Sequence, residues 1–396
     1  MAQSSDALAD FRPETVRGRP GFFRVARTVT GQWWFIDPDN HPFFAKAVHG
    51  VTATESTTHD PAARLRRWGF NTLGCGSETL RAEEALPFLG TVDFCTAGSP
   101  LHLAGVRLPD VFDPDWKQQA RERAAERCAP EAENPLVLGW LTDEAAGWSP
   151  RPASDRPGLL QVCLSLEPGL AAYHAAWEFV LALHQGRLEQ LARAWGTPLA
   201  NKEALRVLTR AEQGITTRGY LQDDARWTRE FARRYFTTAT AAIREFAPNH
   251  LVLGCRWRGP AGPALLAASA EAVDVCLIDH TELPAAPAGP VLLGDFNWVQ
   301  ESFWSAPPVR RGVGPTSLER MLRRGRLVLT RAAAHPAVTG YTWHRWQDRP
   351  GEAPPFGGGL VHADESEARE HTELLTLIND RVEELRAMAT NAETNA

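Results

Sequence analysis

The sequence predicts a single α/β domain folded as a (β/α)8 TIM barrel with extended loops after the strands, and three observations support this. Short, largely apolar runs alternate with helical stretches along most of the 396 residues, which indicates a parallel sheet with right-handed crossovers. The later runs are mostly apolar, as expected for strands covered on both faces. About eight such runs can be counted, which favours a closed barrel over an open sheet.

The elements follow in chain order from apolar runs, turn residues and helix caps. Two apolar runs separated by Thr30-Gly31 predict an N-terminal hairpin. Barrel strands are predicted at residues 43–51, 70–74, 136–141, 251–256, 273–278, 290–294 and 338–343. Helices are predicted at residues 60–68, 115–128, 171–195, 226–246, 317–335 and 365–388. Loops rich in Pro and Gly, expected to line the mouth of a site, are predicted at residues 149–170, 283–289 and 349–359.

The domain organisation predicted from these elements is simple. Residues 1–20 are expected to form a flexible N-terminal arm, residues 21–390 one catalytic barrel, and residues 391–396 a disordered tail. No internal repeat and no linker divides the barrel.

Composition and charge exclude several classes of partner. Lys and Arg total 42 against 48 Asp and Glu, giving a net charge of −6 without a basic stripe, so nucleic acid is not an expected partner. The N-terminus does not resemble a signal peptide and no apolar stretch could span a bilayer, so we expect a cytoplasmic protein without membrane association. No nucleotide-binding glycine motif, HExxH or CxxC pattern occurs, so no cofactor and no metal are expected.

The aromatic content points towards sugars. Fourteen Trp stand against four Tyr, and barrel proteins that act on sugars use Trp faces as apolar platforms. Core filling is the alternative use of Trp, and more than half of these residues are expected to be core.

The candidate site consists of polar and aromatic residues at the ends of the predicted strands, because residues at the carboxyl ends of barrel strands point into the site. In chain order they are His49, Asn71, Asp143, Glu144, Arg256, Asp279, His280, Asp295, Trp343 and His344, with Trp298 nearby. Two acids on different strands that face one cleft are what glycosidic hydrolysis requires. One protonates the leaving oxygen, and the other attacks the anomeric carbon or activates water.

Several segments resemble the β-agarase-like glycoside hydrolases of clan A. They are residues 31–44 (GQWWFIDPDNHPFF), 67–74 (RWGFNTLG), 109–114 (PDVFDP), 139–144 (GWLTDE), 194–197 (AWGT), 248–256 (PNHLVLGCR), 294–296 (GDF) and 340–346 (GYTWHRW). They extend in order over nearly the whole chain after about residue 20. The resemblance implies a TIM barrel with a cleft shaped for a carbohydrate.

The chain departs from that family at both catalytic carboxylates. The family's fourth strand ends in a pattern like Gly-Tyr-Phe-Thr-Asp-Asn-Glu, whose Glu is the acid/base. Without gaps that Glu falls on Ala145, whereas a one-residue deletion places Glu144 there, with Asp143 in place of Asn. The seventh strand ends in Gly-Glu-Phe, whose Glu is the nucleophile. Here Asp295 occupies that position and is one methylene shorter.

The resemblance and the positions together assign roles to the acids. Glu144 is interpreted as the acid/base, Asp295 as its carboxylate partner and Asp143 as the alternative acid. Capping of a following turn is the structural alternative for Asp295 and for Asp279. Arg256 is a substrate-binding candidate expected to pair with an acidic group of the protein or the substrate, or simply to neutralise Asp143 and Glu144.

The remaining candidates are interpreted as substrate-binding residues. His49 and Asn71 match family positions that bind sugar hydroxyls, with buried structural hydrogen bonding as the alternative. Trp343 is the preferred aromatic platform for the sugar ring. His344 is a less favoured substrate contact at the same strand end. Asp279 and His280 are expected to orient a carboxylate or bind a hydroxyl. Trp298 is included as a contact, although shaping a loop is the favoured role for Trp298 and for Trp304.

These interpretations predict a glycosidase, hydrolysing or transferring a glycosidic bond of a small saccharide or glycoside. Two alternatives stay open. One is a barrel that binds carbohydrate without hydrolysis, favoured by Ala145 where the family has Glu. The other is a different reaction on a sugar. A homo-oligomer is neither predicted nor excluded.

Overall fold

The computed structural model describes most of the residues of the chain. They are residues 9–52, 60–77, 80, 86–98, 100–103, 106–144, 153–257, 260–283, 289–299, 303, 317–352 and 355–394.

The strands of this part of the chain are numbered in chain order. They are β1 (Arg24–Arg27), β2 (Trp33–Ile36), β3 (Pro42–Phe43), β4 (Ala45–Val48), β5 (Thr72–Leu73), β6 (Phe88–Thr91), β7 (Pro100–Leu103), β8 (Val106–Pro109), β9 (Val137–Leu141), β10 (Val252–Gly254), β11 (Cys276–Ile278), β12 (Val291–Phe296) and β13 (Val338–Trp343).

The α-helices of the same residues are numbered likewise. They are α1 (Pro61–Arg67), α2 (Pro114–Cys128), α3 (Leu159–Ser165), α4 (Ala171–Leu183), α5 (Leu188–Trp195), α6 (Lys202–Arg210), α7 (Arg218–Phe246), α8 (Pro263–Ala272), α9 (Leu318–Ala334), α10 (Arg369–Asn379) and α11 (Val382–Thr394).

Eight of the described strands form a parallel barrel, which confirms the predicted fold class. Their order is β10-β9-β6-β5-β4-β13-β12-β11, and each neighbouring pair is parallel. The two outer strands approach each other through Val252. Its carbonyl accepts the N–H of Asp274 at 2.9 Å, and its own N–H donates to the Asp274 carboxylate at 2.8 Å. The carboxyl ends of all eight strands therefore lie at one face.

Several predicted elements have different bounds in the structure. Gln185 and Gly186 have positive φ angles of 57° and 72°, and this left-handed turn divides the predicted helix 171–195 into α4 and α5. The predicted helix 365–388 is likewise two helices, α10 and α11. The predicted loop 149–170 contains the buried helix α3. The strand β6 was not predicted, and α7, capped by Thr217, begins eight residues earlier than the predicted helix.

The core of the barrel is rich in tryptophan, as predicted. Of the twelve Trp among the described residues, eleven are buried and Trp34 is partly buried. Trp304, also considered at the sequence level, lies outside the described residues.

The opposite end of the barrel is covered by the small antiparallel sheet β1-β2-β3. The N–H of Trp33 donates to the carbonyl of Pro336, just before β13, at 2.7 Å. Arg17 donates to the carbonyl of Asp274, just before β11, at 2.6 Å. Residues 9–20 of the predicted arm lie beside this sheet, where Arg17 and Val25 exchange backbone hydrogen bonds. The division into arm, barrel and tail stays a prediction.

Arg386 of α11 joins the last helices to this covered end. Its guanidinium is fully buried and donates to the carbonyls of Ala333 and Val338, each at 2.8 Å, and of Trp33 at 2.7 Å. It also lies 4.4 Å from the centre of the Trp34 ring. Burial lowers its pKa to about 9, so the side chain is still a cation at neutral pH.

Replacing Arg386 by Ala is expected to destabilise the fold by about 3–5 kcal/mol, because three buried carbonyls lose their donor at once. Urea unfolding at pH 7 measures this change. Arg381→Ala is the control, since Arg381 is exposed and its pairing with Glu384 is expected to contribute no more than about 1 kcal/mol. A loss below about 1 kcal/mol for Arg386→Ala would show that these hydrogen bonds contribute little.

Candidate active site

The candidate site lies at the carboxyl ends of the barrel strands. His49 directly follows β4, Glu144 follows β9, Arg256 follows β10, Asp295 is the penultimate residue of β12, and His344 follows β13. Because parallel strands end on one face, the fold brings these five predicted residues into one cluster.

Arg256 lies at the centre of the cluster and contacts both predicted catalytic carboxylates. Its Nε donates to Asp295 Oδ1 at 2.6 Å, and its Nη1 donates to Glu144 Oε1 at 2.5 Å. Two nitrogens of one guanidinium are about 2.3 Å apart, so the two carboxylate oxygens lie within roughly 7.5 Å of each other. This upper limit is compatible with the separations of catalytic pairs in glycosidases.

Two neighbouring carboxylates keep the guanidinium of Arg256 in its charged form. Arg256 is 4% exposed, and this burial acts to lower the pKa of the guanidinium. The charges of Asp295 and Glu144 and the hydrogen bond to Asp295 act in the opposite direction and leave the pKa raised. The buried cation is thus stable only because both carboxylates face it.

Asp295 has an unusual backbone conformation. Its φ angle is 49°, in the left-handed region that non-glycine residues rarely adopt. Its N–H donates to the hydroxyl of Thr342 on the adjacent strand β13 at 2.9 Å, which holds this turn of the chain. The carboxylate is consequently directed at Arg256.

His49 is a buried neutral donor beside Asp295. Its Nδ1 accepts the backbone N–H of Cys75 at 3.0 Å, so the ring proton resides on Nε2. Nε2 is 3.5 Å from Asp295 Oδ1 and has no hydrogen-bond partner among the described residues. Burial, followed by the charge of Arg256, lowers the pKa of His49 well below its ordinary value. The structure therefore leaves one N–H directed at the cluster.

His344 completes the cluster on the side of β13. Its ring centre is 6.2 Å from that of His49. Burial lowers the pKa of His344 to about 4, although the charge of Asp295 acts to raise it. Both imidazoles are thus neutral at physiological pH.

Asp143 lies behind Glu144 and is buried. One of its oxygens accepts the backbone N–H of Cys95 at 2.6 Å, and the other contacts the hydroxyl of Tyr235 on α7. Burial raises the pKa of Asp143 to about 8. The side chain is enclosed by protein, which makes it a poor donor to a substrate in the cleft.

Three predicted contacts are engaged elsewhere. The Asn71 side chain accepts the N–H of Lys46 and donates to the carbonyl of Phe44, beside the amino end of β5, so its bonding is structural. Asp279 caps the turn that follows β11 by accepting the N–H of Thr281 at 2.8 Å. The ring of His280 packs against Phe296 and Phe303.

Trp343 does not present a platform to the cleft, contrary to the prediction, and Trp298, predicted as a contact, is not exposed to the cleft either. Both rings are fully buried and pack against each other with centres 4.7 Å apart. Successive side chains of a strand point to opposite faces. Trp343 therefore points outwards to His371 of α10, whereas His344 points to the cluster. His344, the less favoured of the two candidates at the end of β13, is therefore the one that lies in the cluster.

Two residues of the site were missed at the sequence level. Asp93 accepts the N–H of Glu144 at 3.0 Å and thereby fixes the acid's main chain. It follows β6, so recognising that strand would have identified it. Tyr235 contacts Asp143 from the middle of a long helix, where the sequence carries no signal.

No group of three or more His, Cys, Asp and Glu in the described part of the chain is arranged to hold a metal ion. Among the helices that the structure describes, none is both long and apolar enough to cross a membrane.

The fold and the cluster define a (β/α)8 barrel with a carboxylate pair at the ends of its fourth and seventh strands. No protein-family model matches the chain. It is 27% identical over 254 residues to β-agarase A of Vibrio sp. (strain JT0107), a match that covers 59% of this chain and 25% of that protein. The chain thus spans about a quarter of the length of this curated relative.

Solved structures show the same fold. An exo-β-agarase has a TM-score of 0.69 at 17% identity, covering 93% of this chain and 66% of the other. A β-galactosidase from the psychrophilic Marinomonas ef1 has a TM-score of 0.54 at 13% identity, covering 87% of this chain and 60% of the other. These matches confirm the barrel and the resemblance to the β-agarase-like glycoside hydrolases.

Acidification is expected to destabilise the protein through His344. Its pKa in the folded chain, about 4, lies below the ordinary value of 6.5, so protonation favours the unfolded chain. This cost is absent above about pH 6.5 and grows as the pH falls towards 4. His344→Asn should therefore reduce the stability lost between pH 6.5 and 4.5 by roughly 1–2 kcal/mol.

Urea unfolding at several pH values measures that slope. His41→Asn is the control for replacing an imidazole by an amide at an exposed position, because the His41 side chain is 69% exposed. An identical slope in His344→Asn and the unmodified chain would contradict the assignment.

Proposed function

We propose that this chain is a glycosidase, hydrolysing or transferring a glycosidic bond of a small saccharide or glycoside with Glu144 and Asp295 as its carboxylate pair. The observation that carries the proposal is the cluster in which Arg256 contacts both acids at the ends of β9 and β12. The relatives known as agarases and β-galactosidases support this class of reaction.

Glu144 is proposed as the proton donor. It follows β9 and its side chain is 39% exposed, whereas Asp143 is enclosed behind it. In this mechanism Glu144 protonates the leaving oxygen as the glycosidic bond breaks. Asp295 faces the anomeric carbon from the seventh strand and accepts the proton of the water molecule, or of the acceptor hydroxyl in a transfer, that bonds to this carbon.

The contact with Arg256 determines when Glu144 can carry and donate its proton. A guanidinium in contact favours the ionised form of a carboxyl group, while a general acid must carry its proton when the bond breaks. The Glu144–Arg256 contact must therefore loosen as the substrate enters, while the Asp295–Arg256 contact can remain. The neutral Nε2–H of His49 is then available for a sugar hydroxyl.

The same contact favours a second candidate, a barrel that binds carbohydrate without hydrolysing it. If the Glu144–Arg256 pair persists with a sugar bound, no proton donor is left in the cleft. Tight binding of a saccharide without turnover would identify this alternative.

Glu144→Gln is expected to lower kcat by about 10²–10⁴-fold, the share of rate acceleration that general acid–base catalysis usually supplies. Gln keeps the shape and can still accept from Arg256, but it cannot donate the proton. Release of reducing sugar from a panel of unactivated oligosaccharides and alkyl glycosides measures the change, because their alkoxide leaving groups require the proton. Glu122→Gln, on the exposed surface of α2, is the control.

Loss of activity in Asp143→Asn together with retained turnover in Glu144→Gln would reverse these roles.

Asp295 is expected to activate water rather than attack the sugar, so the first product should have the inverted anomeric configuration. Asp is shorter than Glu by about 1.5 Å, one C–C bond, which leaves room for a water molecule. Its contact with Arg256 also holds the carboxylate back. Proton NMR of the product formed in the first seconds distinguishes the anomers. Retention with a covalent adduct on Asp295 would refute the proposal.

A further inference from the structure

The ends of β6 and β9 stay paired beyond the strands themselves. The N–H of Val92 donates to the carbonyl of Leu141 at 3.1 Å, and the N–H of Phe94 donates to the carbonyl of Thr142 at 3.1 Å. These backbone hydrogen bonds extend the pairing to within two residues of Glu144, the proposed proton donor. Beyond that point, side chains connect the two strand ends.

Two aspartates connect these strand ends in opposite directions. Asp93, which follows β6, accepts the N–H of Glu144 at 3.0 Å. Asp143, which follows β9, accepts the N–H of Cys95 at 2.6 Å. Each strand end therefore holds the main chain of the other. Asp143 is enclosed behind the site, whereas Asp93 contacts the main chain of the proton donor itself.

Asp93 adopts a backbone conformation that favours this contact over a local one. Its φ angle is 63°, in the left-handed region that non-glycine residues rarely adopt. It directly precedes the short 3-10 turn Phe94–Thr96, a position where Asp commonly accepts a hydrogen bond from the turn itself. Its carboxylate accepts none from the described residues of that turn and bonds to Glu144, 51 positions away, instead.

We propose that Asp93 is a positioning residue that holds the main chain of Glu144 while the Glu144 side chain leaves Arg256 for the leaving oxygen of the substrate. A general acid must lie within hydrogen-bond reach of the atom that it protonates. The Asp93 contact does not involve the carboxyl group of Glu144, so it persists when the contact with Arg256 loosens. The catalytic part of this inference rests on the proposed function.

Two substitutions of Asp93 separate its backbone conformation from its hydrogen bond. Asp93→Gly keeps the left-handed conformation without strain but removes the acceptor. Asp93→Asn keeps an acceptor oxygen in a residue type that also tolerates this conformation. Asp113→Gly is the matched control, because Asp113 is likewise half-buried and accepts the N–H of Asp115 at 3.0 Å at the start of α2.

Hydrogen exchange of the Glu144 amide tests the contact in the full chain without ligand. The amide is observed by NMR in protein labelled with heavy nitrogen at glutamate and is assigned by its loss in Glu144→Gln. Its exchange should be at least about tenfold faster in Asp93→Gly, because the N–H loses its acceptor. Asp93→Asn and Asp113→Gly should stay within about threefold of the unmodified chain. Equal exchange in Asp93→Gly and the unmodified chain would overturn the proposal.

The dependence of the rate on the leaving group tests the catalytic role. It compares kcat/KM on an unactivated alkyl glycoside, whose leaving group needs a proton, with kcat/KM on a dinitrophenyl glycoside of the same sugar, whose leaving group does not. Because its proton donor is misplaced, Asp93→Gly should lose about 10–100-fold on the alkyl glycoside and less than about threefold on the dinitrophenyl glycoside. Asp93→Asn and Asp113→Gly should stay within about threefold on both.

Three kinetic outcomes would contradict this role. Equal losses on both glycosides in Asp93→Gly would give Asp93 a general structural role and overturn the proposal. Full activity of Asp93→Gly on the alkyl glycoside would do the same, even if the Glu144 amide exchanges faster. Absence of turnover on every glycoside would refute the proposed function and with it the catalytic role of Asp93, while hydrogen exchange would still decide whether Asp93 holds Glu144.

Discussion

The site depends on one buried cation shared by two carboxylates. Arg256 is almost fully removed from water, which is costly for a charge, and only its contacts with Glu144 and Asp295 offset that cost. The three side chains are therefore energetically coupled, although they come from three different strands. Neutral His49 and His344 and the buried Asp143 surround them without adding a second positive charge at physiological pH.

The barrel makes this arrangement possible because contacts that stabilise the fold and the polar residues of the candidate site lie in different regions. One end is covered by the small antiparallel sheet and fastened by Arg386, whose donors satisfy buried carbonyls. Buried Trp rings fill the space between the strands and the outer helices. The carboxyl ends of the strands are thereby left to carry polar groups. The positive φ angle of Asp295, held by Thr342, shows that the backbone adapts at this end to aim a side chain.

Periodicity and strand ends were sufficient to predict the barrel and the central cluster, because polar residues after apolar runs are easily recognised. The strand β6 was missed because Gly90 weakens its pattern. That glycine is required, since an added Cβ would lie 2.4 Å from the ring of Trp140. Trp343 was preferred to His344 because composition does not reveal which face of a buried strand points inwards. The Tyr235–Asp143 contact joins residues 92 positions apart, and no local pattern encodes it.

Glu144 and Asp295 are proposed to act as one catalytic pair, and a double-mutant cycle measures how strongly they depend on each other. The kcat/KM of Glu144→Gln, Asp295→Asn and the double variant would be measured on one unactivated alkyl glycoside, whose leaving group needs a proton. Residues that act as a unit show strongly non-additive losses. Each single variant should lose most of the activity, and the double variant should be scarcely worse than the less active single variant. Losses that multiply, or a single variant that keeps full activity, would contradict it.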